Sequence, residues 1–230
     1  MLKQKIRFLT RRLSEEFKDD DSKATEDAKN ETKHVTKETV NKVATTKAIA
    51  SPVPPIIEKR INGIAAKRLM REYETCYRIS QCTDPAFVIE LVENSLIEWN
   101  IRLYHIDQDS RLYRDMRTSN ISHILLNIRF PDNFPFAPPF LRVVHPRISN
   151  GYVLSGGAIC MELLTTRGWS SVYTIEAMIM QFSSQVVKGN GRLHDKYNEN
   201  YHKKEAELTF KKLTKFHDEK GWYTPPTSEG

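Results

Sequence analysis

An α+β domain, with an opening helix, four antiparallel strands and closing helices, is the fold class that three observations in this sequence predict. Apolar residues recur every four positions from Ile61 to Tyr77, the period of one helix face. They then alternate with polar residues through the middle of the chain, the period of a half-buried strand, and a helical period returns after Trp169. The connections between the alternating stretches are too short for the crossovers that parallel pairing needs, so an antiparallel sheet is expected.

The elements follow in order. Ile61, Ala65, Leu69, Tyr73 and Tyr77 form the apolar stripe of the opening helix, with Arg60, Lys67, Arg68 and Arg71 on other faces. Phe87 to Val92 and Leu96 to Tyr104 flank the turn-like Glu93-Asn94-Ser95. Ile97, Trp99, Ile101 and Leu103 alternate there with Glu98, Asn100 and Arg102, as in a hairpin with one buried face. Ile124, Leu126, Ile128 and Phe130, set against Leu125, Asn127 and Arg129, make a third strand, and Phe140 to Val144 a short fourth. Beyond Trp169, the residues Ile175, Met178, Ile179, Phe182 and Val186 predict a helix packed under the sheet. Thr174 is its N-cap, Glu176 lies in its first turn and Lys188-Gly189 at its end. A last helix, Tyr201 to Lys220, carries Ala206, Phe210, Leu213 and Phe216 as apolar positions and stops at Gly221.

Ahead of this domain the composition changes. Asp19 to Thr46 is built largely from Lys, Thr, Glu, Asp, Ala and Asn, and no aromatic residue lies between Phe17 and Tyr73. Such a segment cannot offset the entropy of ordering and is expected to be disordered. Ser51-Pro52-Val53-Pro54-Pro55 then forbids a continuing helix. Residues 1–59 are therefore an N-terminal segment and linker, and residues 60–230 the folded domain. At the start, Leu2, Ile6, Leu9, Leu13 and Phe17 repeat at helical spacing, with Lys3, Lys5, Arg7, Arg11 and Arg12 on the other faces. A basic amphipathic helix of this kind could contact an anionic membrane, dock in a partner's groove, act as a cleaved targeting segment, or fray without a role.

A chain of 230 residues, 39% hydrophobic, can bury one sizeable core. No apolar run approaches the ~20 residues that span a bilayer, and no secretory signal opens the chain, so an intracellular protein of the cytoplasm or nucleus is expected. Cys76, Cys82 and Cys160 are odd in number and form no Cys-x-x-Cys pair, which argues against a disulfide framework and against structural zinc. The formal charge of +6 would suit nucleic acid, but basic and acidic residues are interspersed, and basic and aromatic positions do not cluster. Nucleic acid is not an expected partner, and no metal is.

Three stretches carry the chemistry. Phe130-Pro131-Asp132-Asn133-Phe134-Pro135-Phe136-Ala137-Pro138-Pro139 follows a strand directly, and its four prolines end the pairing in a rigid, aromatic loop. His145-Pro146-Arg147 precedes Asn150-Gly151 and Gly156-Gly157, which run into Ala158-Ile159-Cys160-Met161-Glu162-Leu163-Leu164; the glycines permit tight turns beside the cysteine. Gly168-Trp169-Ser170-Ser171 then sets an indole and two hydroxyls before a helix. Taken singly, each has a plain structural reading: an edge loop, a buried small hydrophobe, a helix start.

In this order and spacing the three resemble the catalytic domain of ubiquitin-conjugating enzymes, with its aromatic-proline loop, His-Pro-Asn, a cysteine shortly after, and Trp-Ser-Pro. Gly156-Gly157-Ala158-Ile159-Cys160-Met161-Glu162-Leu163-Leu164 and Lys220-Gly221-Trp222-Tyr223-Thr224-Pro225-Pro226 resemble the Q-type branch in particular. The resemblance covers about residues 60–230 and implies the ubiquitin-conjugating (UBC-like) fold. It implies that Cys160 accepts activated ubiquitin from the activating enzyme as a thioester and passes it to substrate lysines, usually with a ligase. Ubiquitin, the activating enzyme, a ligase and substrate proteins are the implied partners. No cofactor is implied, ATP being used by the upstream activating enzyme.

Exchange between thioesters is nearly balanced in free energy, so such a cysteine needs no adjacent His base; positioning and oxyanion stabilisation are the main demands. His145 and Pro146 match the first two positions of His-Pro-Asn, but Arg147 stands where the family has the Asn, which leaves Arg147, Asn150 and backbone amides as candidate oxyanion donors. Near Arg192-Leu193-His194-Asp195 many relatives place a group that assists the substrate lysine, making His194 and Asp195 candidates. Phe136, Trp169, Ser170 and Ser171, with Lys67 and Arg68 on the first helix, match the surface touched by ligases and the activating enzyme, Ser171 replacing the usual Pro. Two rivals are a noncatalytic binding protein of the same fold, against which the retained cysteine argues, and a cysteine hydrolase, for which no Cys/His/acid set emerges.

Overall fold

The structure, a computed structural model, describes residues 63–221. The expected N-terminal helix and linker, Arg60 and Ile61, and the closing Trp222 to Pro226 lie outside the described residues. Helix α1 spans Gly63–Ser80 and buries Ala65, Ala66, Leu69, Tyr73 and Cys76. Tyr77 is half-buried and stacks on Tyr73. Strands β1 (Phe87–Leu91) and β2 (Glu98–Leu103) form the hairpin, with Phe87 opposite Leu103. Its turn places Glu93 and Asn94 in the left-handed region, at φ 51° and 60°. Asn adopts that conformation readily; Glu there is uncommon.

Strands β3 (Ile124–Arg129) and β4 (Phe140–His145) complete an antiparallel sheet in the order β1-β2-β3-β4. Trp99, Ile101 and Leu103 point into the core with Ile124, Leu126 and Ile128. Each such side chain contributes roughly 1.5–3 kcal/mol by leaving water. One polar position breaks the expected alternation. Asn127 is buried, and its amide donates to Glu98 Oε1 (3.2 Å) and Asn100 Oδ1 (3.1 Å), so part of the cost of removing it from water is offset.

The connection between β2 and β3 is not short as expected: it runs from Tyr104 to His123, long enough for a crossover, and holds a helix that periodicity did not predict, α2 (Arg111–Thr118), yet the strands it joins pair antiparallel. Ser110 caps it by accepting from Tyr113 N (3.1 Å), and Leu112 and Met116, one turn apart, are buried. Two further strands of two residues each, β5 (Ile148–Ser149) and β6 (Arg192–Leu193), pair antiparallel.

Helix α3 (Ile175–Lys188) has the expected Thr174 cap, which accepts from Ala177 N (3.2 Å), and the expected buried face. It lies against α1, where Glu72 Oε2 accepts from Ile175 N (2.9 Å). Helix α4 (Lys203–Lys220) departs from its predicted stripe: Ala206 is buried, but Phe216 is exposed and the neighbouring His217 buried. Tyr201 precedes α4 instead of opening it. Its hydroxyl accepts from Ile148 N and donates to Ile148 O, both at 3.0 Å, pinning the approach to α4 onto β5.

Candidate active site

The backbone around Cys160 folds on itself for reasons visible in its glycines. Asn150, Gly151 and Tyr152 are three consecutive left-handed residues (φ 60°, 64° and 59°) that reverse the chain after β5. Gly157 sits at φ 85°, and a Cβ there would lie 2.4 Å from Val143 O and 2.8 Å from the Tyr201 ring, so only glycine fits. The doubled chain brings Cys160 N to Tyr152 O (2.8 Å), while Gln185 Nε2, from α3, donates to Cys160 O (3.0 Å). Both backbone groups of the cysteine are held.

Cys160 is 1% exposed, and burial pushes its thiol up to about 11. Cys76, within α1, is buried too; desolvation, then Glu72 and Glu176, push it up to about 12. Cys82 is exposed beyond the end of α1. What sets Cys160 apart from Cys76 is its seat in a loop of hydrogen-bonded turns.

His145 ends β4, half-buried; desolvation depresses its imidazole, and a hydrogen bond with Asn200 works in the opposite direction. Arg147 turns toward the 197–201 segment. Its guanidinium lies 5.2 Å from the Tyr201 ring centroid and 3.5 Å from both Asn200 O and Glu199 Oε2, and its amide donates to Tyr197 O (3.2 Å). The pairing of β5 with β6 carries the His194–Asp195 segment alongside, where His194 N donates to Arg147 O (3.0 Å) and His194 Nδ1 accepts from Lys196 N (3.0 Å). Asp195 and Asn150 are exposed, and Asn150 O accepts from Val153 N (3.1 Å). The fold thus joins Arg147 to the His194 segment. Among the described residues, the hydrogen bonds of Cys160 run to Tyr152 and Gln185, not to His145, Arg147, Asn150, His194 or Asp195. Gln185 and Tyr152 escaped sequence reasoning because neither belongs to a motif; the only trace of Gln185 is a polar residue in the apolar-rich α3.

A second surface is built by the proline-rich loop and the turn before α3. Trp169 Nε1 donates to Pro135 O (2.8 Å), and its ring lies between Phe134 and Tyr173, with centroids at 6.1 and 5.8 Å. With this indole as the anchor, Phe136 (69% exposed) and Val172 (76% exposed) are presented to solvent. Arg68 is a fastener of this surface. It donates to Ser171 O (2.6 Å), Tyr173 O (2.7 Å) and Glu72 Oε1 (2.7 Å), tying α1 to the turn. Ser170 O accepts from Tyr173 N (3.0 Å), and Lys67 is exposed on α1.

Residues 68–215 match the family model described as ubiquitin-conjugating enzyme. The human Q-like ubiquitin-conjugating enzyme protein 1 is 53% identical over 164 residues, covering 70% of this chain and 100% of the relative. A Q-like ubiquitin-conjugating enzyme protein of Drosophila melanogaster is 50% identical over 185 residues, 77% of this chain and 60% of the relative. Human ubiquitin-conjugating enzyme E2 Q1 is 47% identical over 171 residues, 72% of this chain and 40% of the relative. The chain therefore spans the whole of the first of these and less than two thirds of the other two.

Proposed function

The chain belongs to the ubiquitin-conjugating enzyme family, in its Q-type branch, and from that premise we propose that it carries activated ubiquitin as a thioester on Cys160 and transfers it to substrate lysines with a ligase. The Cys160 sulfur attacks the carbonyl of the thioester held by the activating enzyme. A new C–S bond forms as the old one breaks, and the proton lost by Cys160 compensates the departing thiolate. A substrate amine then attacks the same carbonyl, forming C–N as the bond to Cys160 breaks and losing its proton to solvent. ATP is spent upstream by the activating enzyme.

One observation carries the reading: Cys160, at the position matching the family's acceptor, has both backbone groups held, by Tyr152 O and Gln185 Nε2. A reacting residue whose backbone is held lowers the entropy cost of attack. The exposed Phe136 and Val172 supply apolar contact area for the activating enzyme and the ligase. A second reading, a binding protein that does not transfer, is favoured by the burial of the same thiol and its rise to about 11, which leaves little thiolate at neutral pH. Incubation with ubiquitin, activating enzyme and ATP, compared on reducing and nonreducing gels, separates the two. A thiol-labile adduct of one ubiquitin is expected; its absence while a control conjugating enzyme loads would leave the binding reading standing.

A further inference from the structure

We infer that Asp115, on the helix inserted between β2 and β3, is a positioning residue for the acceptor side of the transfer site, holding the His194–Asp195 segment beside Arg147. The inference rests on the proposed function. An antiparallel pair needs only a short turn, yet the connection here runs from Tyr104 to His123 and contains α2. With Leu112 and Met116 buried, Asp115 faces β6, and its carboxylate accepts three donors: Arg192 Nε at 2.5 Å, Arg192 Nη2 at 3.0 Å and the backbone amide of Leu193 at 3.2 Å.

A pair this accessible, with the side chains 21% and 46% exposed, adds little to global stability, so what the convergence fixes is the position of β6. The strand is otherwise two residues long and, among the described residues, pairs only with β5. Its other supports are single bonds: Gly191 N to Val186 O (2.9 Å) before it and His194 N to Arg147 O (3.0 Å) after it. The Arg192 hydrogen bond holds the Asp115 carboxyl below the usual carboxylate range. Cys160 is tied instead to Tyr152 and Gln185. Loosening β6 therefore disturbs the His194–Asp195 segment, where the family resemblance puts the group that assists the substrate lysine, and spares the backbone bonds that hold Cys160.

The test uses the full chain, loaded with ubiquitin by the activating enzyme and ATP, then quenched and discharged to free lysine. Asp115→Asn and Arg192→Lys, which retains the charge but not the forked donor, are expected to load within about twofold of wild type and to discharge about five- to twentyfold more slowly. Asp115→Glu is expected to recover part of the loss. Hydrogen exchange on the unloaded chain should show the Leu193 and His194 amides less protected in Asp115→Asn, with the Cys160 amide unchanged. Discharge at the wild-type rate, or loading and discharge slowed equally, overturns the inference. Should Asp115→Asn fail to fold, the swap Asp115→Arg with Arg192→Asp keeps an ion pair but cannot accept from Leu193 N. It is expected to load normally and discharge slowly, and normal discharge by it counts against the inference. A wild-type chain that forms no thiol-labile adduct overturns the proposed function itself, whereas the exchange pattern bears on the clamp alone.

Discussion

Cys160 and Phe136 sit on opposite sides of one structural choice: the first is 1% exposed and the second 69%. Around Cys160 the chain turns through left-handed residues, its backbone N–H donates to Tyr152 O and its carbonyl accepts from Gln185 Nε2, and the residue is buried. Around Phe136 the prolines remove backbone donors, Trp169 anchors the loop from beneath, and the apolar side chain faces water. The difference separates two demands. Under the proposed function a group that reacts gains from a held backbone but loses thiolate to burial, whereas a group that recognises a partner must bear exposure beforehand and regain that cost on binding.

The largest effect expected from breaking this comparison falls on the enclosed side. Cys160→Ala should abolish the thiol-labile ubiquitin adduct, a loss of at least about a thousandfold in single-turnover loading, while Cys76→Ser and Cys82→Ser still load. Cys160→Ser should form a slower, reductant-resistant oxyester. A thiol-labile adduct on Cys160→Ala would move the site elsewhere.

Alkylation sharpens the same contrast without ubiquitin. Below its value of about 11, the thiolate fraction of Cys160 rises tenfold for each unit of pH, since deprotonation is favoured as pH climbs. Iodoacetamide labelling of Cys160, followed by mass spectrometry, should therefore accelerate about tenfold per unit from pH 7 to pH 9 with no plateau. The exposed Cys82 should label at least about tenfold faster throughout. A plateau near neutral pH would show a thiol activated by its surroundings and not suppressed by burial.

On the exposed side, Phe136→Ala should slow ligase-stimulated discharge by about tenfold, the scale of one interface anchor, and leave the melting temperature within the range of a surface substitution. Discharge to free lysine, which needs no ligase, should be unchanged. Equal losses with and without ligase would assign Phe136 to the loop's own packing.

Legibility followed the same divide. Long periodic elements were readable: the four-residue stripe of α1, the alternation of β2 and β3, and the Thr174 cap with the buried face of α3 all stand where local chemistry put them. Cys160 was singled out by the resemblance its surroundings carry, and the turn expected of the glycines before it is present, with Gly156 and Gly157 at φ 78° and 85°. What escaped was decided by contacts distant in sequence. Helix α2 shows only two buried residues in a polar stretch, too few for a period. Asn127 is buried because Glu98 and Asn100 lie beside it on the neighbouring strand, and His217, not Phe216, turns inward although hydropathy favours the reverse. Arg68 had the pattern of a solvated helix residue until the turn at Ser171 and Tyr173 came within reach of its guanidinium.

The smallest expected effect concerns Arg147, a candidate oxyanion donor on the resemblance of His145-Pro146-Arg147 to His-Pro-Asn. Its guanidinium engages the Tyr201 ring, Asn200 O and Glu199, all on the segment leading into α4. The ion pair is long and partly exposed, so its share is small; the ring contact contributes about 0.5–1 kcal/mol, and the whole truncation should cost about 1 kcal/mol of stability. Arg147→Ala should thus lower the denaturation midpoint measurably, while single-turnover discharge to lysine falls by no more than about fivefold, because the His194 amide bonds to the Arg147 carbonyl, which alanine retains. Arg147→Lys should not restore the midpoint fully, since an ammonium cannot lie flat on the Tyr201 ring as a guanidinium does. A discharge loss of a hundredfold or more with an unchanged midpoint would reverse the assignment, placing the guanidinium at the reacting carbonyl in the loaded state and making Arg147 the replacement for the missing Asn.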